Sequence, residues 1–171
     1  MNTVNVVECH FEQHASQILT IFNDAILHST ALYEYEERSL QDLERWFKSK
    51  TMHQFPVIGV EDEQGVLMGF ASYGSFRQFP ANLYTVEHSV YVHQAYRGKG
   101  LAKELIKALT QKAKQQGMHT MIGAIDASNV ASIALHNKLG FTHAGTLSEV
   151  GFKFGRWLDL AFYQIILNEQ H

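Results

Sequence analysis

Val86-Glu-His-Ser-Val-Tyr-Val-His-Gln-Ala-Tyr-Arg97-Gly-Lys-Gly-Leu-Ala102 reads as a strand, a tight glycine turn and the opening of a helix. Val86, His88, Val90 and Val92 alternate with Glu87, Ser89 and Tyr91, so the two sets face opposite sides of a sheet. Leu101, Ala102, Leu105, Ile106, Leu109 and Ala113 then recur at helical spacing, and Gly117 is placed to end that helix. The first turn of a helix has unpaired N–H groups, and the helix dipole adds positive potential behind them. Gly98, Gly100 and Ala102 are small enough for a phosphate to approach that backbone closely. The stretch is not a P-loop, because Gly-x-x-x-x-Gly-Lys-Ser/Thr is absent, nor a dinucleotide fingerprint, because a third glycine is missing. Spacing alone leaves a phosphate cradle and a plain structural turn both open.

The sequence on either side predicts a mixed sheet. Val4 and Val6 suggest a short first strand, and Ile18, Phe22, Ala25 and Ile26 predict a helix over 15–28. The connector at 29–37 is unusually aromatic and acidic, and its Tyr33 is a candidate wall of a pocket. Ser39 with Asp42 three residues on is an imperfect capping box before a helix whose stripe is Leu40, Leu43, Trp46 and Phe47. Strands at 55–61 and 66–73 flank an Asp62-Glu-Gln-Gly65 turn and predict an antiparallel hairpin. Beyond the central stretch come a strand at 119–125 and a helix at 129–139 that stops at Gly140. Three last strands are expected at 141–145, 149–154 and 158–167. With no repeat and no linker, residues 1–171 read as one domain, an α/β fold with helices on both faces of the sheet.

Composition narrows the function classes. A chain of 171 residues, 46% hydrophobic and 18% charged, is ordinary for a globular protein with a real core. Its net charge of −3, with no basic block, argues against nucleic acid as a partner. Cys9 is the only cysteine, which excludes an intrachain disulfide and suggests a reducing compartment. The first ten residues lack a basic region followed by an apolar run, and no apolar stretch has membrane-spanning length. A cytoplasmic protein without a membrane partner is therefore expected. No metal is expected either: one cysteine supports no zinc set, and His88 and His93 lie an odd five residues apart on a strand.

Four motifs, in order along nearly the whole chain, carry a resemblance. Arg97-x-x-Gly100-x-Ala102 resembles the Gln/Arg-x-x-Gly-x-Gly/Ala signature of the GNAT N-acetyltransferases, whose turn holds the pyrophosphate of acetyl-coenzyme A. Asn129-Val-Ala-Ser-Ile-Ala-Leu-His136-Asn-Lys-Leu-Gly-Phe141 resembles that superfamily's fourth helix and following turn. Tyr84-Thr-Val-Glu-His-Ser-Val-Tyr-Val92 and Gly151-Phe-Lys-Phe-Gly-Arg-Trp-Leu-Asp159 resemble the branch of phosphinothricin and methionine sulfoximine/sulfone acetyltransferases. The resemblance implies a GNAT-like, mostly antiparallel central sheet whose central strands splay apart to admit acetyl-CoA.

It also implies direct transfer of the acetyl group to the α-amine of a small amino acid or analogue, by a homodimer and without an acyl-enzyme on Cys9. Gly98, Lys99, Gly100, Leu101, Ala102 and Lys103 correspond to the phosphate cradle, and Val90, Tyr91 and Val92 to the edge that pairs with the pantetheine arm. Asn129 and Ser132 correspond to cofactor contacts, although Asn129 also reads as a helix N-cap. Glu87 matches the proposed base, and its other reading is a solvated or ion-paired strand carboxylate. His136 stands where many members carry an acidic tyrosine. It reads equally as a proton donor to the departing thiolate or as a half-buried helix histidine. Substrate contacts are expected from Ser75, Phe76, Arg77, Thr85, Val86, Glu87 and Lys153, with the Arg77 guanidinium suited to a carboxylate and Lys153 reading also, and more simply, as a surface charge. A peptide N-terminal acetyltransferase and a non-catalytic acyl-CoA-binding module remain as alternatives.

Overall fold

The structure, a computed structural model, describes residues 4–168. Its seven strands are β1 (Asn5–Glu8), β2 (Val57–Glu61), β3 (Leu67–Ser75), β4 (Thr85–Val92), β5 (Thr120–Asp126), β6 (Thr142–Lys153) and β7 (Arg156–Ile166). Its helices are α1 (Phe11–His28), α2 (Leu40–Met52), α3 (Leu101–Gln115) and α4 (Val130–Lys138). The strands form one sheet in the order β1-β2-β3-β4-β5-β7-β6. Every pairing is antiparallel except β4 with β5.

The alternation on β4 divides the core as expected. Val86 packs with the α3 residues Leu101, Leu105, Ile106 and Leu109 on one face, while Tyr91 packs with α1 and α2 on the other. Phe22, Leu43, Phe47 and Phe70 build that second face, with Phe22 edge-on to Phe70 at 4.8 Å. The Ser39–Asp42 capping box is complete in both directions, so α2 starts where the sequence predicts. Leu40 departs from the expected stripe. At the first position of α2 it lies outside the packed turns and is exposed. The helix α1 begins at Phe11, earlier than periodicity indicated. His14 supports its first turn by accepting from the His10 N–H at 2.9 Å and bonding Glu61 through Nε2, also at 2.9 Å. His10 and His14 stand at His-x-x-x-His spacing, but these bonds use both His14 nitrogens within the protein.

Two of the three expected C-terminal strands are one. β6 runs unbroken from Thr142 to Lys153, with its register against β7 shifted between Leu147 and Gly151. Glu149 has a φ of 54° within this shift, and its N–H donates to the Asp159 carboxylate at 2.8 Å. Such a bulge breaks the period-2 pattern that would have joined the two segments in the sequence.

The feature that creates a site is the end of the β4–β5 ladder. Their paired residues run from Thr85↔Thr120 to His88↔Gly123 and stop there. Ser89–Val92 stays paired to β3 on its other side, and β5 continues along β7 to Asp126. Backbone groups on the facing edges of both strands are therefore left open to a gap.

Candidate active site

Two cavities meet at this gap. The larger, about 560 Å³, is bounded by Val90, Tyr91 and Val92 on β4, by Arg97, Gly98 and Gly100–Lys103 of the turn, and by Asn129 and Ser132 of the α4 turn. Gly98 and Gly100 have φ of 76° and 77°, and a Cβ built on either would meet no atom within 4 Å. The turn thus takes a left-handed path that favours glycine and presents open space in front of it. Among the described residues, no protein acceptor takes the backbone N–H groups from Gly98 to Lys103. These donors, at the positive end of a 15-residue helix, fit a pyrophosphate. Arg97 pairs with Asp24 of α1 at 3.1 Å, which ties the turn across the mouth. Asn129 caps α4 by accepting from the Ser132 N–H at 3.1 Å, and the residue also lines the cavity. Lys99 lies apart from this lining, its ammonium 5.1 Å from the Tyr96 ring centroid.

The second cavity, about 350 Å³, lies on the α1–α2 side and shares Tyr91 and Ala31 with the first. Glu87, Ser89 and Tyr91 enter it from one face of β4, as the alternation predicts. Phe22, Trp46, Tyr33 and Leu160 supply apolar walls. Two carboxylates face it under different conditions. Burial alone would raise Asp126, but hydrogen bonds from Thr30 and Ser128 and the charge of Arg156 hold it below its ordinary value. Glu87 has no hydrogen-bond or ion-pair partner among the described residues, and burial pushes its pKa up. One acid is fixed as an anion and the other is poised to take a proton, the separation of roles expected where two acids share a site.

Of the other substrate residues expected from sequence, none lines this cavity. Val86 points into the α3-side core. Thr85 is half-buried at the start of β4, and Ser75 is exposed. Phe76 packs edge-on against Phe162, and exposed Arg77 lies over the Phe79 ring at 4.9 Å. Lys153 is buried elsewhere. Its ammonium donates to Ile26 O at 2.6 Å, Ser29 O at 2.8 Å and Leu32 O at 2.7 Å.

His136 is 2% exposed and stacks on His88, with Nε2–Nε2 at 3.1 Å and Nδ1 at 2.7 Å from Ser132 O. The carbonyl requires a proton on His136 Nδ1, so His136 Nε2 accepts from His88 Nε2–H. Burial lowers the pKa of His136, and burial followed by the His136 charge lowers His88 to about 3, so both rings are neutral. Both nitrogens of His136 are engaged, leaving no free N–H for a departing thiolate. This geometry fits the buried-histidine reading, not the acid. The pair stands at the last β4–β5 rung, where Gly123 makes room for it.

Sequence reading missed Arg38, Trp46 and Lys50 as cavity residues. Glu34 engages the Arg38 guanidinium through Nε and Nη2, and Arg38 lies 4.1 Å over the Phe22 ring. Lys50 follows Trp46 by one helical turn, so a lysine on the apolar stripe of α2 was the available signal.

Comparison with known proteins agrees with this geometry. Residues 18–141 match the Acetyltransferase (GNAT) family. The chain is 44% identical over 151 residues to an L-methionine sulfoximine/L-methionine sulfone acetyltransferase of Pseudomonas aeruginosa, covering 88% of each. A phosphinothricin acetyltransferase of Sinorhizobium meliloti, solved in complex with acetyl-CoA, superposes with a TM-score of 0.94 at 34% identity, covering 98% of this chain and 90% of that one. An N-acetyltransferase from Staphylococcus aureus superposes with a TM-score of 0.94 at 44% identity over 97% and 99% of the two chains. With its glycine turn, its parted strands and this likeness over most of its length, the chain belongs to the GNAT acetyltransferase family.

Proposed function

We propose that this chain acetylates the α-amine of a small amino acid or analogue by direct attack on acetyl-CoA, with methionine sulfone, methionine sulfoximine and phosphinothricin as favoured substrates. The observation that carries the reading is Glu87, a partly desolvated carboxylate with no partner among the described residues, in an aromatic cavity that joins the cofactor-sized cavity at Tyr91. The names of the Pseudomonas and Sinorhizobium relatives support the substrate class. Acetyl-CoA supplies an activated acetyl thioester when bound. The N–H groups of residues 98–103 would hold its pyrophosphate, and the open edge at Ser89–Val92 would suit the amides of its arm. The Val90 amide is the candidate donor to the oxyanion. Glu87 accepts the amine proton directly or through water. The same reading has residues 1–171 as one domain that works as a cytoplasmic homodimer.

Release of free coenzyme A thiol over a panel of small amino-acid analogues, polyamines and short peptides tests the reading. Wild-type turnover should be confined to the amino-acid analogues, and Glu87→Gln should lower kcat by about 10²-fold or more. Protonation disables a carboxylate base, so wild-type kcat should fall as pH drops through the raised Glu87 pKa, at a higher pH than for an ordinary carboxylate. Glu87→Gln should remove that limb of the profile. Turnover on peptides alone, or an unchanged profile in the mutant, would defeat the proposal.

A further inference from the structure

Among the described residues, the cavity beside Glu87 holds one cation, Lys50, without an acidic partner. Lys50 donates to Tyr73 O at 2.8 Å, the only hydrogen bond of its ammonium among the described residues, so two of three protons are left over. The ammonium lies 5.3 Å from the Trp46 ring centroid and 5.7 Å from that of Phe55. It is 3.6 Å from where a Cβ would stand on Gly74. Gly74 is the cross-strand partner of Glu87, and all three residues line one cavity, so the α2 ammonium and the β4 carboxylate face the same space. The other cation at this wall, Arg38, is engaged by Glu34. Burial first, then the Arg38 charge, brings the pKa of Lys50 down to about 8, the mark of an ammonium that lacks compensation.

We infer that Lys50 is the specificity-determining residue that recognises the oxygen-bearing end of the substrate side chain. This rests on the acetyltransferase reading above. The reacting amine belongs at Glu87, toward the thioester near Tyr91. The Trp46 ring, which lines the cavity beside the Lys50 ammonium, suits the methylenes of a short side chain, which the charged α-carboxylate would not favour. An oxygenated sulfur or phosphorus centre at the end of two methylenes then brings acceptors to the spare N–H groups. A thioether offers only a weak acceptor, so the site would discriminate by oxidation state of the side chain.

The test compares kcat/KM for L-methionine, L-methionine sulfone and L-phosphinothricin in wild type and in Lys50→Met. The wild type should prefer the two oxygenated substrates. Lys50→Met should lower their kcat/KM by about tenfold or more, while methionine changes little, so that the preference collapses. The ratio is taken within one variant and is independent of the fraction folded. Lys50→Arg, which keeps a charged donor, should keep the preference. Equal losses on all three substrates would assign Lys50 to the shared carboxylate or to packing and overturn the inference, as would no loss. A wild type inert toward all three would instead overturn the function reading, and the inference with it.

Discussion

Replacing Lys153 by methionine separates a structural clamp from a substrate contact. The ammonium satisfies Ile26 O and Ser29 O at the end of α1 and Leu32 O in the following loop, and the residue is 3% exposed. All three of its protons are used, leaving none for a ligand. Methionine fills a similar volume but leaves three carbonyls without their donor. An unsatisfied buried acceptor costs roughly 1–3 kcal/mol, and the low end applies where a loop admits water, giving a loss of about 3 kcal/mol. For a chain of this size that corresponds to a fall in Tm of about 6–12 °C. Thermal unfolding followed by circular dichroism reads the shift directly. Steady-state kinetics well below the transition should show a rise in amino-acid KM only alongside the fall in Tm, because the same clamp holds the loop that carries Tyr33 onto the cavity. The reasoning fails if Tm barely moves while KM for the amino acid rises tenfold, because Lys153 would then serve the substrate.

Gly123→Ala should destabilise by about 1–3 kcal/mol through overpacking, because its Cβ would meet His88 Nε2 at 2.9 Å and His136 Nε2 at 3.3 Å. The buried, hydrogen-bonded His136 Nδ1 proton should shift or lose its distinct NMR signal, and an undisturbed signal would argue against the close packing of the histidine pair on Gly123. Gly100→Ala places a methyl in the open space before the α3 turn, at a φ of 77°. Calorimetric affinity for coenzyme A should fall about tenfold or more, against a stability loss of only about 1–2 kcal/mol. Unchanged affinity would remove the turn from the cofactor site.

The sequence made the cradle legible because its signals are local. Period-2 alternation on β4, glycines at 98 and 100 and the apolar stripe of α3 lie within one stretch, and each reappears in the structure. The gap beside it was not legible from periodicity. It depends on where β5 leaves β4, a pairing between His88 and Gly123 that the alternation of either strand does not reveal. The lysines make the same point about the site. Lys153 reads as a substrate residue by resemblance, while Lys50 was missed, its one signal being its place a helical turn after Trp46. Their roles are set by acceptors far along the chain: Lys153 reaches carbonyls 121–127 residues upstream, while Lys50 meets a carbonyl 23 residues downstream. An ammonium saturated by three carbonyls has nothing left to offer a ligand. One held by a single carbonyl against aromatic rings is fixed in place, charged and incomplete, and that combination can read a substrate. The loop secured by Lys153 also carries Tyr33 and Ala31 onto the cavities, and Gly151 gives the Tyr33 ring its space, since a Cβ there would approach to 2.7 Å. The two lysines thus act on one cavity, Lys153 by holding the loop that walls it and Lys50 by selecting what enters.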